Sequence, residues 1–342
     1  MKTKAFIFLG IVAPFMAACL LSIHFLIVFF TPYSGENMQF TVKSGEGFSS
    51  INYRLMKKDI VSNGRLFHYY TKYQGAITRF KAGTYEIQKG QHMGDILTSL
   101  TEGVPILTSV TFPEGKNMFE FGKILEAKNI TTYTAFIKAC KDQENIKKLG
   151  IDAPSLEGYL FPDTYKFAPK TPAKIVVQAM TRLTIEKIKD LDFGSSFLSQ
   201  HQVMILASIV EKETGAKKER PTIAGVYLNR LKKKMRLQAD PTTIYGIWEG
   251  FNGNLRKKHL LQKTDYNTYK MSGLPLGPIA NPSLAAVKAV LKPQSHNYIY
   301  FVSKNDGTHV FTPTYKEHLK AVDYWQKNYS RRKGKSWRDL KQ

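Results

Sequence analysis

The feature that most constrains this chain is an uninterrupted apolar run near its start. After Lys2 and Lys4, residues 5–31 read AFIFLGIVAPFMAACLLSIHFLIVFFT, with His24 the sole ionisable side chain. A helix needs about 20 apolar residues to cross a bilayer core, whereas a cleaved signal peptide has an apolar region of about 7–15. The run therefore reads as a retained signal anchor. Pro14 is tolerable in such a helix. Met16-Ala17-Ala18-Cys19 faintly matches a lipoprotein cleavage box, but the apolar run continues well past Cys19, which argues against lipidation. The two lysines ahead of the span favour a cytoplasmic N-terminus and place the chain after about residue 35 outside the cytoplasm.

That placement narrows the meaning of the charge. The 342 residues hold 50 Lys+Arg against 27 Asp+Glu, a net +23, which calls for an anionic partner such as nucleic acid, a membrane surface or an acidic wall polymer. Outside the cytoplasm, nucleic acid drops out. With 43% hydrophobic and 23% charged residues the chain is of ordinary globular make-up, and its length suggests about two domains plus an appendage. Cys19 and Cys140 are the only cysteines, so neither a disulfide framework nor a cysteine-rich zinc site is available.

Periodicity divides the rest into an α+β arrangement. Residues 1–37 form the N-terminus and anchor. Residues 38–104 alternate strand and helix signals: MQFTVKSG as strand, helices over about 48–57 and from an Asn63 cap to about 74, FKAGTYEI as strand, and a helix near 93–100. A strand, two helices and a strand look like a LysM-type wall-binding module; a generic α/β spacer fits the same pattern. Residues 105–198 read as a connecting α/β region with a strand near 107–112 and helices near 117–128 and 172–188. Residues 199–330 carry two strong helices, a Gly/Pro-rich stretch, the strands YIYFV and THVF, and a closing helix over about 315–328. The basic tail 331–342 reads as a solvated end.

The informative helix is Ser199 to Thr214, SQHQVMILASIVEKET. At about 100° per residue with Glu213 at zero, Leu206 falls near 20°, Ile209 near −40° and Val210 near 60°. Glu213 thus sits in the middle of the apolar face, while Glu211 projects to the opposite side and is expected in solvent. Desolvation disfavours a carboxylate and raises its pKa, and a proton donor working at neutral pH needs a pKa of about 6–7. Alternatively, Glu213 bends out to water at the helix end or pairs with a basic side chain. The following helix carries Ile223, Val226, Tyr227 and Leu231 as a stripe, which suggests an antiparallel pair. Beyond it, RLQADPTTIY, DYNTY and GLPLGPIANP combine Gly, Pro, Asn and Asp with tyrosines; such loops line sugar clefts and also make ordinary surface turns. The histidines are scattered without H-E-x-x-H spacing, and no phosphate-cradling glycine loop occurs, so neither metal nor nucleotide cofactor is expected.

Taken together and in order, KAGTYEI (81–87), LEGYLFPDTY (156–165), ASIVEKET (207–214), IAGVYLNRL, RLQADPTTIYG, YNTY, GLPLGPIANPSLAAVKAVLKP, YIYFV and GTHVF resemble the MltG/YceG-like endolytic murein transglycosylases over nearly the whole chain. Leu276 departs from the family's usual GLPPGPI. The resemblance implies a membrane-anchored, extracytoplasmic enzyme with a LysM-like module. It implies peptidoglycan glycan strands as substrate, no metal, and, more weakly, contact with peptidoglycan synthases. It also implies that Glu213 is the catalytic acid/base, the residue the helical projection selects on its own. Gln238, Asp240, Tyr245, Tyr266, Asn267 and Thr268 in the matching loops are candidates for orienting sugar or supporting Glu213. Glu157 is either a second cleft acid or a structural cap. Two other functions fit the residues: a two-carboxylate glycoside hydrolase pairing Glu213 with Asp240 or Glu157, and a non-catalytic wall-binding scaffold.

Overall fold

The computed structural model describes residues 12–43 and 45–328. Lys2, Lys4 and the first part of the apolar run lie outside these residues, as does the basic tail 331–342. Helix α1 (Ala13–Phe30) is the one described helix long and apolar enough to cross a membrane, with a mean hydropathy of 2.2. The chain forms two compact units, the first running to Thr108 with Lys166–Pro169, the second comprising Ser109–Tyr165 and the chain from Lys170 onward.

In the first unit, β1 (Met38–Val42), α2 (Phe48–Lys57), α3 (Gly64–Tyr73), β2 (Gly83–Ile87) and α4 (Met93–Thr101) follow in order. The strands pair antiparallel, Met38 opposite Ile87 and Val42 opposite Gly83. Side chains alternate across a strand, so Phe40 and Val42 go into the core with Tyr85 and Ile87. There they meet Ile51 and Leu55 of α2, Phe67 of α3, and Ile96 and Leu100 of α4. Asn63 caps α3 by accepting from the N–H groups of Arg65 and Leu66. Arg54 pairs with Glu46 at 2.7 Å while its guanidinium lies over the Phe40 ring.

Strands β3 (Thr108–Thr111) and β4 (Thr164–Phe167) fall across the boundary, and the second unit otherwise runs α5 (Met118–Ala127), α6 (Tyr133–Cys140), α7 (Gln143–Lys148), α8 (Ala173–Ile188), α9 (Gln200–Glu213), α10 (Arg220–Lys232), α11 (Asp240–Gly246), α12 (Lys257–Leu261), α13 (Leu284–Leu291), β5 (Tyr300–Ser303), β6 (His309–Thr312) and α14 (Tyr315–Val322). Strands β5 and β6 form an antiparallel hairpin, Tyr300 opposite Thr312. Helix α9 starts at a reciprocal capping box, in which Ser199 accepts from the Gln202 N–H and Gln202 accepts from the Ser199 N–H. It packs against α10, α11 and α13, and every residue from Val203 to Val210 is buried.

Three sequence expectations need correcting here. RLQADPTTIY is not all loop, because Asp240–Gly246 is helical with Pro241 in its first turn, where the missing N–H costs nothing. Helices α6 and α7 fall in a stretch where the sequence pattern marked none; at eight and six residues they are too short to show a clear period. The closing helix is regular only to Val322 and continues as one wider turn over Asp323–Lys327.

Candidate active site

Glu213 closes α9, where the backbone turns extended at Thr214. Its side chain is half-buried. Burial is the largest influence on the carboxyl and, with the negative charge of Asp240, pushes its pKa up to about 7; a hydrogen bond from Tyr227 and the charge of Arg230 pull the other way. Tyr227 and Arg230 come from α10, one turn apart on the face turned to α9, and both are buried. Arg230 is tied to the carbonyls of Ile299 and Leu237 at 2.7 Å each, and its guanidinium lies over the Tyr300 ring. That anchoring keeps it from collapsing into an ion pair with Glu213, since no such pair forms among the described residues.

Glu211 overturns the expectation of a solvated side chain. It is buried, its Oε1 accepts from the Arg220 guanidinium at 2.6 Å, and its Oε2 accepts from Ser283 N–H and Oγ. The helical projection failed because it registers only the helix's own residues, while α13 and the start of α10 cover the far side. The two glutamates therefore differ in kind: Glu211 is a carboxylate matched by a cation and donors, and Glu213 is a desolvated acid without a matching cation.

Two loops converge on this helix end. Gln238 is exposed with φ of 50°, a left-handed backbone that costs a non-glycine residue energy and tends to persist at functional positions. Asp240, exposed at the start of α11, accepts from the Tyr269 hydroxyl at 2.7 Å. Asn267 and Thr268 are fully buried. Asn267 donates to the carbonyls of Leu260 and Gln262 and accepts from Thr243 Oγ1 and the Tyr269 N–H. Thr268 accepts from the Ala239 N–H and pairs with the Thr242 hydroxyl. Both side chains are engaged in holding the loop under Asp240 and Tyr269.

The remaining candidates form a second cluster at the other end of α11. Glu157 is completely buried. Its carboxyl accepts from the Met118 N–H at 2.9 Å, which caps α5, from the Tyr245 hydroxyl at 3.0 Å and from Asn281 Nδ2 at 2.9 Å. Burial pushes its pKa up to about 8, with the Met118 and Tyr245 hydrogen bonds opposing. Asn281 completes the junction: its Oδ1 accepts from the N–H groups of Gly158 and Leu160. Gly158 has φ of 83° and lies so close to Pro278 that a Cβ would come within 2.5 Å of its ring. The LEGYL turn and the GLPLGPIANP loop are thus locked together. Tyr245 and Tyr266, ring centroids 4.7 Å apart, line a cavity of about 840 Å³, and Glu213 is not among its lining residues. Leu276 donates its N–H to the Asp265 carbonyl at 3.0 Å, a bond a proline there would lack.

Tyr227, Arg230, Tyr269 and Asn281 are the site and support residues that sequence reasoning did not single out. Tyr227 stood in an apolar stripe, and its place beside Glu213 follows from the packing of α9 against α10. Among the described residues no group of three His, Cys, Asp or Glu side chains is placed to hold a metal ion.

Residues 40–324 match the model of the YceG-like family, and the chain belongs to that family. It is 34% identical over 309 residues to the endolytic murein transglycosylase of Bacillus subtilis, covering 85% of each chain. It is 28% identical to the endolytic murein transglycosylase of Streptococcus pneumoniae R6, matching 82% of this chain but spanning only 57% of that longer relative. Among solved structures it resembles a YceG-like protein from Listeria monocytogenes, with a TM-score of 0.57 and 30% identity over 84% of this chain and 99% of that one.

Two outcomes test this geometry. Glu157→Ala strands the Met118, Tyr245 and Asn281 donors in the interior, at about 1–3 kcal/mol for each unsatisfied group, so urea denaturation should show a loss of at least about 3 kcal/mol. In carbon-detected NMR titration, Asp240→Asn should lower the pKa of Glu213 and Tyr227→Phe should raise it; two shifts of the same sign would contradict the assigned roles.

Proposed function

We propose that this chain is a membrane-anchored endolytic lytic transglycosylase acting on nascent peptidoglycan, with Glu213 as its single acid/base. The observation that carries the reading is a half-buried carboxyl whose pKa is pushed up to about 7, at the end of a helix in a chain of this family. An acid of that pKa is partly protonated at neutral pH and is regenerated readily after it gives up its proton.

Glu213 protonates the bridging oxygen between N-acetylmuramic acid and N-acetylglucosamine, and the bond from C1 to that oxygen breaks. The resulting carboxylate takes the proton from the muramic acid C6 hydroxyl as O6 bonds to C1. Glu213 ends protonated, no water is consumed, and the strand ends in a 1,6-anhydro sugar. The attacking hydroxyl belongs to the reacting ring, so it acts at a high effective concentration, and a second carboxylate to activate water is not needed. Tyr227 and Asp240 act on the Glu213 carboxyl in opposite senses: Tyr227 favours the carboxylate, while Asp240, oriented by Tyr269, keeps its affinity for the proton high. Gln238, exposed near Asp240, meets the sugar in this reading.

The Glu157 form of the hydrolase alternative gains little, because the Glu157 carboxyl is enclosed and its lone pairs are taken by helix, amide and tyrosine donors; the form that pairs Glu213 with the exposed Asp240 is separated from the transglycosylase by its products. Helix α1 serves as the anchor in this reading, with its N-terminus cytoplasmic and the rest outside. The β1-α2-α3-β2 unit serves as the LysM-like module that meets the wall, and peptidoglycan synthases are the natural suppliers of strands.

Glu213→Gln should abolish anhydro-ended products from purified uncrosslinked glycan while the variant folds normally; reducing ends from the wild type would indicate hydrolysis instead. The pH profile carries a second signature. The proton donor is lost as Glu213 ionises, so kcat/KM should fall above about pH 7. A carboxyl with a raised folded-state pKa favours the folded state below its ordinary value, and this contribution is lost as pH rises through about 7. Glu213→Gln should therefore resist urea better than the wild type at pH 8, with the difference vanishing at pH 4.

A further inference from the structure

The cavity at the far end of α11 has a composition of its own. Phe119 and Trp248 lie nearly parallel at 6.0 Å with 15° between their planes, and Tyr245 and Tyr266 continue the aromatic wall. Lys141 and Lys258 stand exposed on its lining, and Lys141 lies over the Phe119 ring at 5.9 Å. Neither lysine is paired with a carboxylate among the described residues, and Glu249 is the one acidic side chain in the lining. Its 840 Å³ falls in the usual range for a site that encloses an organic ligand. Asp240 opens α11 beside Glu213, and Tyr245, in its last turn, lies at the cavity. Five residues at 1.5 Å of rise put roughly 7.5 Å of helix between them.

We propose that this cavity binds the acidic peptide carried by the glycan, with its free carboxylates meeting Lys141 and Lys258 and its aliphatic side chains lying on the Phe119 and Trp248 rings. The inference rests on the transglycosylase reading for its choice of ligand. The sugar backbone of a peptide-bearing strand is uncharged, so two lysines set against a single glutamate beside an aromatic wall add nothing to its recognition. The peptide branches sideways from muramic acid through its lactyl group and ends in carboxylates. The short span of α11 is what an offshoot of a sugar near Glu213 must cover. In this arrangement the cavity selects peptide-bearing strands over stripped ones, and Glu213 supplies the chemistry.

The test is an isothermal titration of the full chain in detergent with a synthetic stem tetrapeptide ending in a free carboxylate, its C-terminally amidated form, and a tetramer of N-acetylglucosamine. The acidic tetrapeptide should bind, the amidated form should bind more weakly, and the double variant Lys141→Ala, Lys258→Ala should lose at least tenfold in affinity with its melting temperature unchanged. Trp248→Ala should weaken the same titration. Absence of peptide binding by the wild type, or equal binding by the double variant, overturns the proposal; so does sugar-tetramer binding that Trp248→Ala alone abolishes, which would make the cavity a saccharide subsite. Glu213→Gln should bind the tetrapeptide as the wild type does. The titration requires no turnover, so a chain that released no anhydro products would refute the proposed reaction while this test still gave its own answer.

Discussion

A helical stretch with no solvated face must accommodate every polar side chain at its ends, and the middle of α9 is such a stretch. Val203 to Val210 are buried on all sides, yet the helix ends in Glu211, Lys212 and Glu213. Glu211 is neutralised from outside the helix, by Arg220 and the Ser283 cap of α13. Lys212 escapes to the surface and reaches the Gly115 carbonyl. Glu213 has neither remedy, so its proton becomes the means of compensation. A carboxyl that holds a proton near neutral pH is thus a consequence of how the helix is packed, and it destabilises the fold at high pH in the way functional groups often do.

The rest of the second unit reads as a frame that keeps this acid from finding a cation. Arg230 is close enough to influence Glu213 but is bound to two carbonyls and a tyrosine ring. On the loop side, Asn267 and Thr268 hold the backbone so that Asp240 and Tyr269 face the same region. Glu157 works at a distance: with Asn281 it joins the start of α5, the LEGYL turn and the loop before α13, and the first two would otherwise leave buried backbone N–H groups unpaired. Both raised carboxyls belong to one unit, yet one is enclosed by donors and the other faces a single tyrosine. Their surroundings, more than their pKa values, set the two acids apart.

Much of this was legible in the amino-acid sequence because the signals are local. The apolar run up to residue 31, the Asn63 cap, the MQFTVKSG strand and the 3.6-residue period of α9 each depend on neighbours within a turn or two. Those signals determined the α+β class, the apolar helix and the position of Glu213 among aliphatic residues. Tertiary structure decided what lies across from each of them. It brought Arg220 and Ser283 to Glu211, Tyr227 to Glu213, and Asn281 to Glu157 from 124 residues away. It also turned Asn267 and Thr268, polar residues in a loop that looked fit for sugar, into buried pins. A one-dimensional pattern records which side of an element is apolar, but the charge state of a buried acid depends on partners that only folding assembles.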